Sequence, residues 1–170
     1  KQKPSKGYFN IFDDNVYLDI NISSLKDADM EEFCKLSEEQ FLYTNESERY
    51  DIINKSKGNP AYLEQALSLC FDSQIGDKPF ELPETFTEVT NKRLQYLKEV
   101  NEIAYEILVG AAVMGDKINI RLLHEIFDIE QFDDVIDYLK KMNFIQPVNE
   151  IYYEFKNLLL WETILTNSKH

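Results

Sequence analysis

The stretch GAAVMGDK, Gly110 to Lys117, holds two glycines and a lysine close behind them. A phosphate-binding loop would need such residues in a stricter order. A strand must lead into G-x-x-x-x-G-K-[ST], the lysine must follow the second glycine, and a hydroxyl must follow the lysine to hold magnesium. Here Asp116 follows Gly115, and Ile118 follows Lys117. An acid beside bound phosphates repels them. The preceding NEIAYEILVGAAV has helical rather than strand spacing. Gly115 is therefore expected just past a helix end, where a left-handed backbone favours glycine. Gly110 is expected inside that helix, where a neighbour packs closely. With five glycines in the chain, no other phosphate loop is on offer.

The remaining chemistry-bearing residues point the same way. His124, between Leu123 and Glu125, has no Cys, Ser or Asp partner in sequence and is expected to be a partly buried structural residue. Two cysteines, Cys34 and Cys70, and two distant histidines give no zinc spacing. Both cysteines fall in helical apolar patterns and are expected to be small core residues in a reducing cytoplasm. Asp133, Asp134 and Asp137 could suggest a metal cluster, but their spacing sets them on the solvated face of a helix. No catalytic residue and no metal ligand is assigned.

The net charge of −13 is spread along the chain: residues 1–100 carry 12 basic and 19 acidic side chains, and residues 101–170 carry 6 and 12. Such a surface disfavours nucleic-acid backbones. No apolar run approaches the roughly 18 residues of a membrane span, and the start, KQKPSKGYF, has no signal-peptide apolar stretch.

These residues are positioned by a helical series. NVYLDINI alternates, with Val16, Leu18, Ile20 and Ile22 on one face, which predicts a strand; GYFNIF before it is a candidate partner. Two strands alone are marginal, so the chain reads as beginning at the tail of a larger sheet domain. Ser24–Asp27 resembles a capping box before a helix with Met30, Phe33, Cys34, Leu36 and Phe41 inward. A second helix runs from about Glu46 to Lys57 with Tyr50 and Ile53 inward and stops at Gly58. Asn59 and Pro60 restart the chain as N-cap and first-turn proline. Leu63, Ala66, Leu67 and Cys70 line that third helix. FDSQIGDKPFELP is a linker, and a boundary falls near residue 80.

Thr85 to Glu88 opens a capped helix to about Leu97. Three helices follow. Their inward residues are Val100, Ile103, Ile107, Leu108 and Ala111; then Leu122, Leu123 and Ile126, capped by Asn119; then Phe132, Val135, Ile136, Leu139 and Met142. FIQPV and IYYEF read as a hairpin around Asn149-Glu150, and a last helix holds Leu158, Leu159, Trp161, Ile164 and Leu165. Three helices followed by a two-stranded wing is the order of a winged-helix domain. The third of them would enter DNA, yet it presents Glu130, Asp133, Asp134 and Asp137 against Lys140 and Lys141, which disfavours DNA contact and favours a protein contact.

GNPAYLEQAL at 58–67, LPETFTEVTNKRLQYL at 82–97, EILVGAAVMGDKINIRLL at 106–123 and YEFKNLLLWETIL at 153–165 stand in a familiar order. Over residues 15–167 the chain resembles the C-terminal part of the STAND signal-transduction ATPases, relatives of the AAA+ enzymes. The resemblance implies a mainly α fold: residues 1–23 as the strand or hairpin end of a truncated α/β ATPase core, 24–80 as a helical lid, and 81–170 as a winged-helix domain. It implies that Gly58, Asn59 and Pro60 form the lid motif, with Pro60 against the adenine or ribose of ADP or ATP. The residues alone favour a tight helix–helix junction, which needs the same Gly and Pro. Arg93 matches the arginine after the family's Leu-Pro motif; without the resemblance it is read as a solvated helix charge. Phe155 and Lys156 are kept, but Asn157 stands where the family commonly has histidine, so no role of that histidine is carried over.

The resemblance further implies a cytoplasmic regulatory fragment that senses nucleotide and relays or restrains a signal. It would not catalyse alone. ATP or ADP with magnesium, the ATPase core and an effector domain would belong to a longer parent protein, with other proteins as partners. The alternative is a winged-helix interaction or transcription-related module with no nucleotide role.

Overall fold

The computed structural model describes residues 23–38, 45–77 and 79–168. The expected strand at 15–22, its partner and Phe41 lie outside these residues. Among the described residues, eight helices and three short strands follow in order: α1 (Asp27–Glu38), α2 (Glu46–Ser56), α3 (Pro60–Ile75), α4 (Phe86–Val100), α5 (Glu102–Met114), β1 (Lys117–Asn119), α6 (Ile120–Ile126), α7 (Phe132–Lys141), β2 (Ile145–Pro147), β3 (Tyr152–Phe155) and α8 (Leu158–Asn167). These residues are mainly helical, with one small antiparallel sheet.

Caps set the helix boundaries. Asn45 and Glu48 close a reciprocal box at the start of α2, as Thr85 and Glu88 do at α4. Asn101, Asn119 and Asn157 each accept a backbone N–H at the start of α5, α6 and α8. α1 begins later than expected: Ser24 is not its cap, and the Lys26 N–H donates to Asp29. Gly115 lies just past α5 at φ 133°, a backbone that favours glycine. Gly110 sits inside α5 with the Phe127 ring 2.5 Å from where a Cβ would stand.

Sequence periodicity also missed a strand. Besides the expected hairpin, Lys117–Asn119 pairs with β3, with Lys117 opposite Glu154 and Asn119 opposite Tyr152, so the strand order is β1-β3-β2. Three residues are too few to display alternation.

The apolar core falls into two clusters. One joins Met30, Cys34, Ile52, Ile53, Leu63, Ala66, Leu67 and Cys70 from α1–α3. The other joins Ile107, Leu108, Ala111, Ile118, Leu123, Phe132, Ile136, Leu139, Phe144, Phe155, Leu160 and Ile164 from α5 onward. α4 serves both: Val89 and Tyr96 face the first, Leu94 and Leu97 the second.

Several expected inward residues are exposed instead: Leu36, Tyr50, Val100, Ile103, Leu122, Ile126, Leu158 and Leu159. Val100 is the last residue of α4 and Leu158 the first of α8, while Leu36 lies across α1 from the buried Met30 and Cys34. In α2 the innermost residue is Ile52, and in α8 it is Leu160.

Candidate functional site

The Gly58-Asn59-Pro60 motif forms the corner between α2 and α3. Lys57 and Gly58 both take positive φ, 48° and 77°, which ends α2 and reverses the chain. Gly58 is buried, and its carbonyl accepts the Leu25 N–H at 3.0 Å. A Cβ there would lie 2.5 Å from the Leu25 carbonyl oxygen, so position 58 admits only glycine without rearrangement. Asn59 Oδ1 accepts from the Ala61 and Tyr62 N–H groups at 3.0 and 3.2 Å. That amide oxygen is therefore committed to the cap. Pro60 occupies the first turn with its ring exposed.

The adjoining helix turns tie the corner to the segment before α4. Lys55 Nζ donates to the Leu82 carbonyl at 2.7 Å and pairs with Glu84 at 2.6 Å. The Tyr62 hydroxyl donates to the Pro83 carbonyl. Burial, with Glu84 and Glu88 nearby, pushes the Tyr62 phenol up to about 12, so this donor keeps its proton throughout the physiological range.

Arg93 is not at this corner, nor is it a solvated charge. It is on α4, fully buried and 0% exposed, packed against α3. Its Nε donates to Asp72 Oδ2 at 2.6 Å, its Nη1 to Gln65 Oε1 and its Nη2 to the Met142 carbonyl. The guanidinium also lies 4.2 Å from the centre of the Phe144 ring. Asp72 is thus buried with its counter-charge. Burial still pushes its carboxyl above the usual range, against the opposing pull of Arg93. Tyr138 lines the same cavity of about 10 Å³, and burial followed by the Asp72 charge raises its phenol.

Val89 four residues before Arg93 and Leu97 four after it set Arg93 on the buried face of α4; what the sequence reading missed is that a charge on that face needs a buried partner. The available signal was its partner: Asp72 interrupts the apolar run of α3. Asn143 was also missed. It lies at φ 59° just past α7, buried, and donates to Ser68 and Glu64 of α3. An Asn after Lys140-Lys141 at a helix end is a stop signal that the sequence does carry.

Asn157 is the N-cap of α8, accepting the Leu160 N–H at 2.9 Å. It borders a surface depression of about 260 Å³ with Asp116, Glu154, Lys156 and Trp161. Two acids against one lysine make a poor anion cradle.

The other candidates remain apart. His124 is exposed rather than partly buried, stacked on Phe132 at 4.6 Å. Asp133, Asp134 and Asp137 are solvated on α7, and Asp137 pairs with Lys140. Cys34 and Cys70 are both buried. Among the described residues, no three His, Cys, Asp or Glu side chains group to hold a metal ion, and no helix is long and apolar enough to cross a membrane. Comparison of the chain with protein-family models, curated proteins and solved structures finds no match.

Proposed function

We propose that this chain is the lid and winged-helix part of a nucleotide-dependent signalling ATPase, a regulatory unit that senses nucleotide and does not catalyse by itself. The observation that carries the reading is the Gly58–Pro60 corner: a buried glycine pinned to Leu25, followed by an exposed proline ring at the head of α3. The order α5-β1-α6-α7-β2-β3 supports the winged-helix half.

The corner fits a restricted contact. Asn59 Oδ1 and the Gly58 carbonyl are already engaged, so the Pro60 ring is the group left to lie against an adenine or ribose face. Phosphates and magnesium would be held by the ATPase core of the longer protein. The test is ATP and ADP affinity in that full-length protein. Pro60→Ala, which keeps the Asn59 cap, is expected to weaken binding about tenfold, the loss of one apolar contact. Unchanged affinity with intact folding removes Pro60 from the site.

A second reading, a protein-interaction module with no nucleotide role, is favoured by Leu122 and Ile126, exposed one turn apart on α6. Partner binding that persists in the absence of nucleotide, from a protein that binds none, selects it. The acidic outer face of α7 disfavours DNA under either reading.

A further inference from the structure

We propose that the depression between the end of α5, the end of β3 and the start of α8 docks an arginine side chain presented by another protein. Its lining includes Asp116, Glu154, Lys156, Asn157, Leu158 and Trp161, around a volume of about 260 Å³. One water needs only on the order of 10 Å³, so there is room for a side chain. None of the lining residues belongs to the Gly58–Pro60 corner, and the site stands without the nucleotide reading.

The apolar wall is fixed. Trp161 Nε1 donates to the Ala112 carbonyl at 2.9 Å, which anchors the half-buried indole to α5. Leu158, in the same wall, is 58% exposed, and Val113, at the same end of α5 as Ala112, is 66% exposed. An anchored indole face suits a planar cation, and the leucine suits its alkyl stem.

The charge left over in the depression is negative. Asp116 is exposed, and its carboxylate has no hydrogen bond or ion pair among the described residues. Glu154 accepts from Gln146 Nε2 at 2.7 Å through Oε1, which leaves Oε2 open. Lys156, the one base in the lining, is held elsewhere: its Nζ donates to Gln146 Oε1 at 3.2 Å and lies 3.9 Å from Glu64 of α3. Lys117 stands opposite Glu154 in the sheet but is not in the lining. Among the described residues, no third acid, His or Cys joins these two carboxylates to hold a metal ion. An ammonium would meet them as a point charge. A guanidinium carries five donors in a flat fork, so it can pair with both carboxylates and stack on the indole at once. The exposed Leu158 and Val113 favour an arginine within a polypeptide over the free amino acid. A second copy of the chain, at net charge −13, is repelled.

Trp161 is the one tryptophan of the chain, so its emission and its indole N–H resonance report on this site. The probes are a capped tripeptide with arginine between two leucines, the same peptide with uncharged citrulline, and capped arginine by itself. The arginine peptide is expected to give a saturable change in at least one signal. The citrulline peptide is expected to bind at least about tenfold more weakly, having lost both ion pairs. Asp116→Asn, at an exposed position, is expected to keep the melting midpoint. It is expected to weaken the arginine peptide about fivefold, the upper range for one exposed pair, and to leave the citrulline peptide unchanged. No saturable change in either signal, or equal binding of the arginine and citrulline peptides, would overturn the site. Unchanged affinity in Asp116→Asn with intact folding would overturn it as well. Capped arginine binding as tightly as the peptide would overturn the polypeptide partner.

Discussion

Arg93 and Asp72 form an ion pair at 2.6 Å, with side chains 0% and 3% exposed. Removing one member strands the other charge in the core. Arg93→Ala is expected to cost about 3–5 kcal/mol, whereas replacing both together, as Arg93→Met with Asp72→Leu, is expected to restore most of that loss. Urea unfolding of the wild type and the two variants measures this. An Arg93→Ala protein within about 1 kcal/mol of the wild type would mean that water already reaches the pair.

The same pair sets a pH dependence. The folded-state pKa of Asp72 is raised above its ordinary 3.8, so the folded protein holds that proton more tightly than the unfolded chain. Its contribution to stability therefore falls as pH rises above 3.8. Glu81 and Glu88 act oppositely: Lys92 and Thr85 respectively hold them below 4.5, so what they contribute is lost as pH falls through their lowered values. Comparing wild type with Asp72→Asn by urea unfolding from about pH 4 to about pH 7 separates the two signs. The stability of the wild type relative to the variant is expected to shrink as pH rises; a constant difference would place Asp72 at an ordinary pKa.

Three glycines rank by what surrounds them. At Gly58 an added Cβ meets backbone, and φ is 77°, so Gly58→Ala is expected to cost roughly 2–5 kcal/mol. At Gly110 the obstacle is the Phe127 ring, and the cost is expected to be about 1–3 kcal/mol. At Gly115 there is open space, and only the backbone at φ 133° objects. Thermal melts with Phe127→Leu added should rescue Gly110→Ala and leave Gly58→Ala unimproved. Rescue of both would deny the backbone clash at residue 58.

Burial, then the neighbouring Glu48 carboxylate, pushes the Cys70 thiol up to about 12, and Cys34 is fully buried. Cys70 therefore forms no thiolate near neutral pH in the folded state, and burial shields Cys34 from reagent. Alkylation at about pH 8 is expected to follow the unfolding curve in urea for both cysteines. Labelling well before the transition would show that α1 or α3 opens on its own.

The helices of this fold were legible because their ends are written in side chains. Asn45, Thr85, Asn101, Asn119 and Asn157 all cap helices, and the Gly58-Asn59-Pro60 corner could be placed to the residue. Helix faces were less legible. Leu122 and Ile126 have the spacing of core residues, but α6 is short and buries only Leu123 among them. β1 escaped because its partner, β3, lies more than thirty residues away in sequence. The buried arginine escaped for a related reason. Val89 and Leu97, one turn to either side, put Arg93 on the buried face of α4, but Gln65, Asp72 and Met142, which let a charge stay there, are distant in sequence and leave no local period.

α4 packs its two faces into different apolar clusters, and this governs how the molecule comes apart. A fragment ending in the 79–83 segment would lose Val89 and Tyr96 from the first cluster. A fragment beginning after α4 would lose Leu94 and Leu97 from the second. Neither half holds a complete interior without that shared helix, so heat should melt both cores in one cooperative transition rather than in two steps.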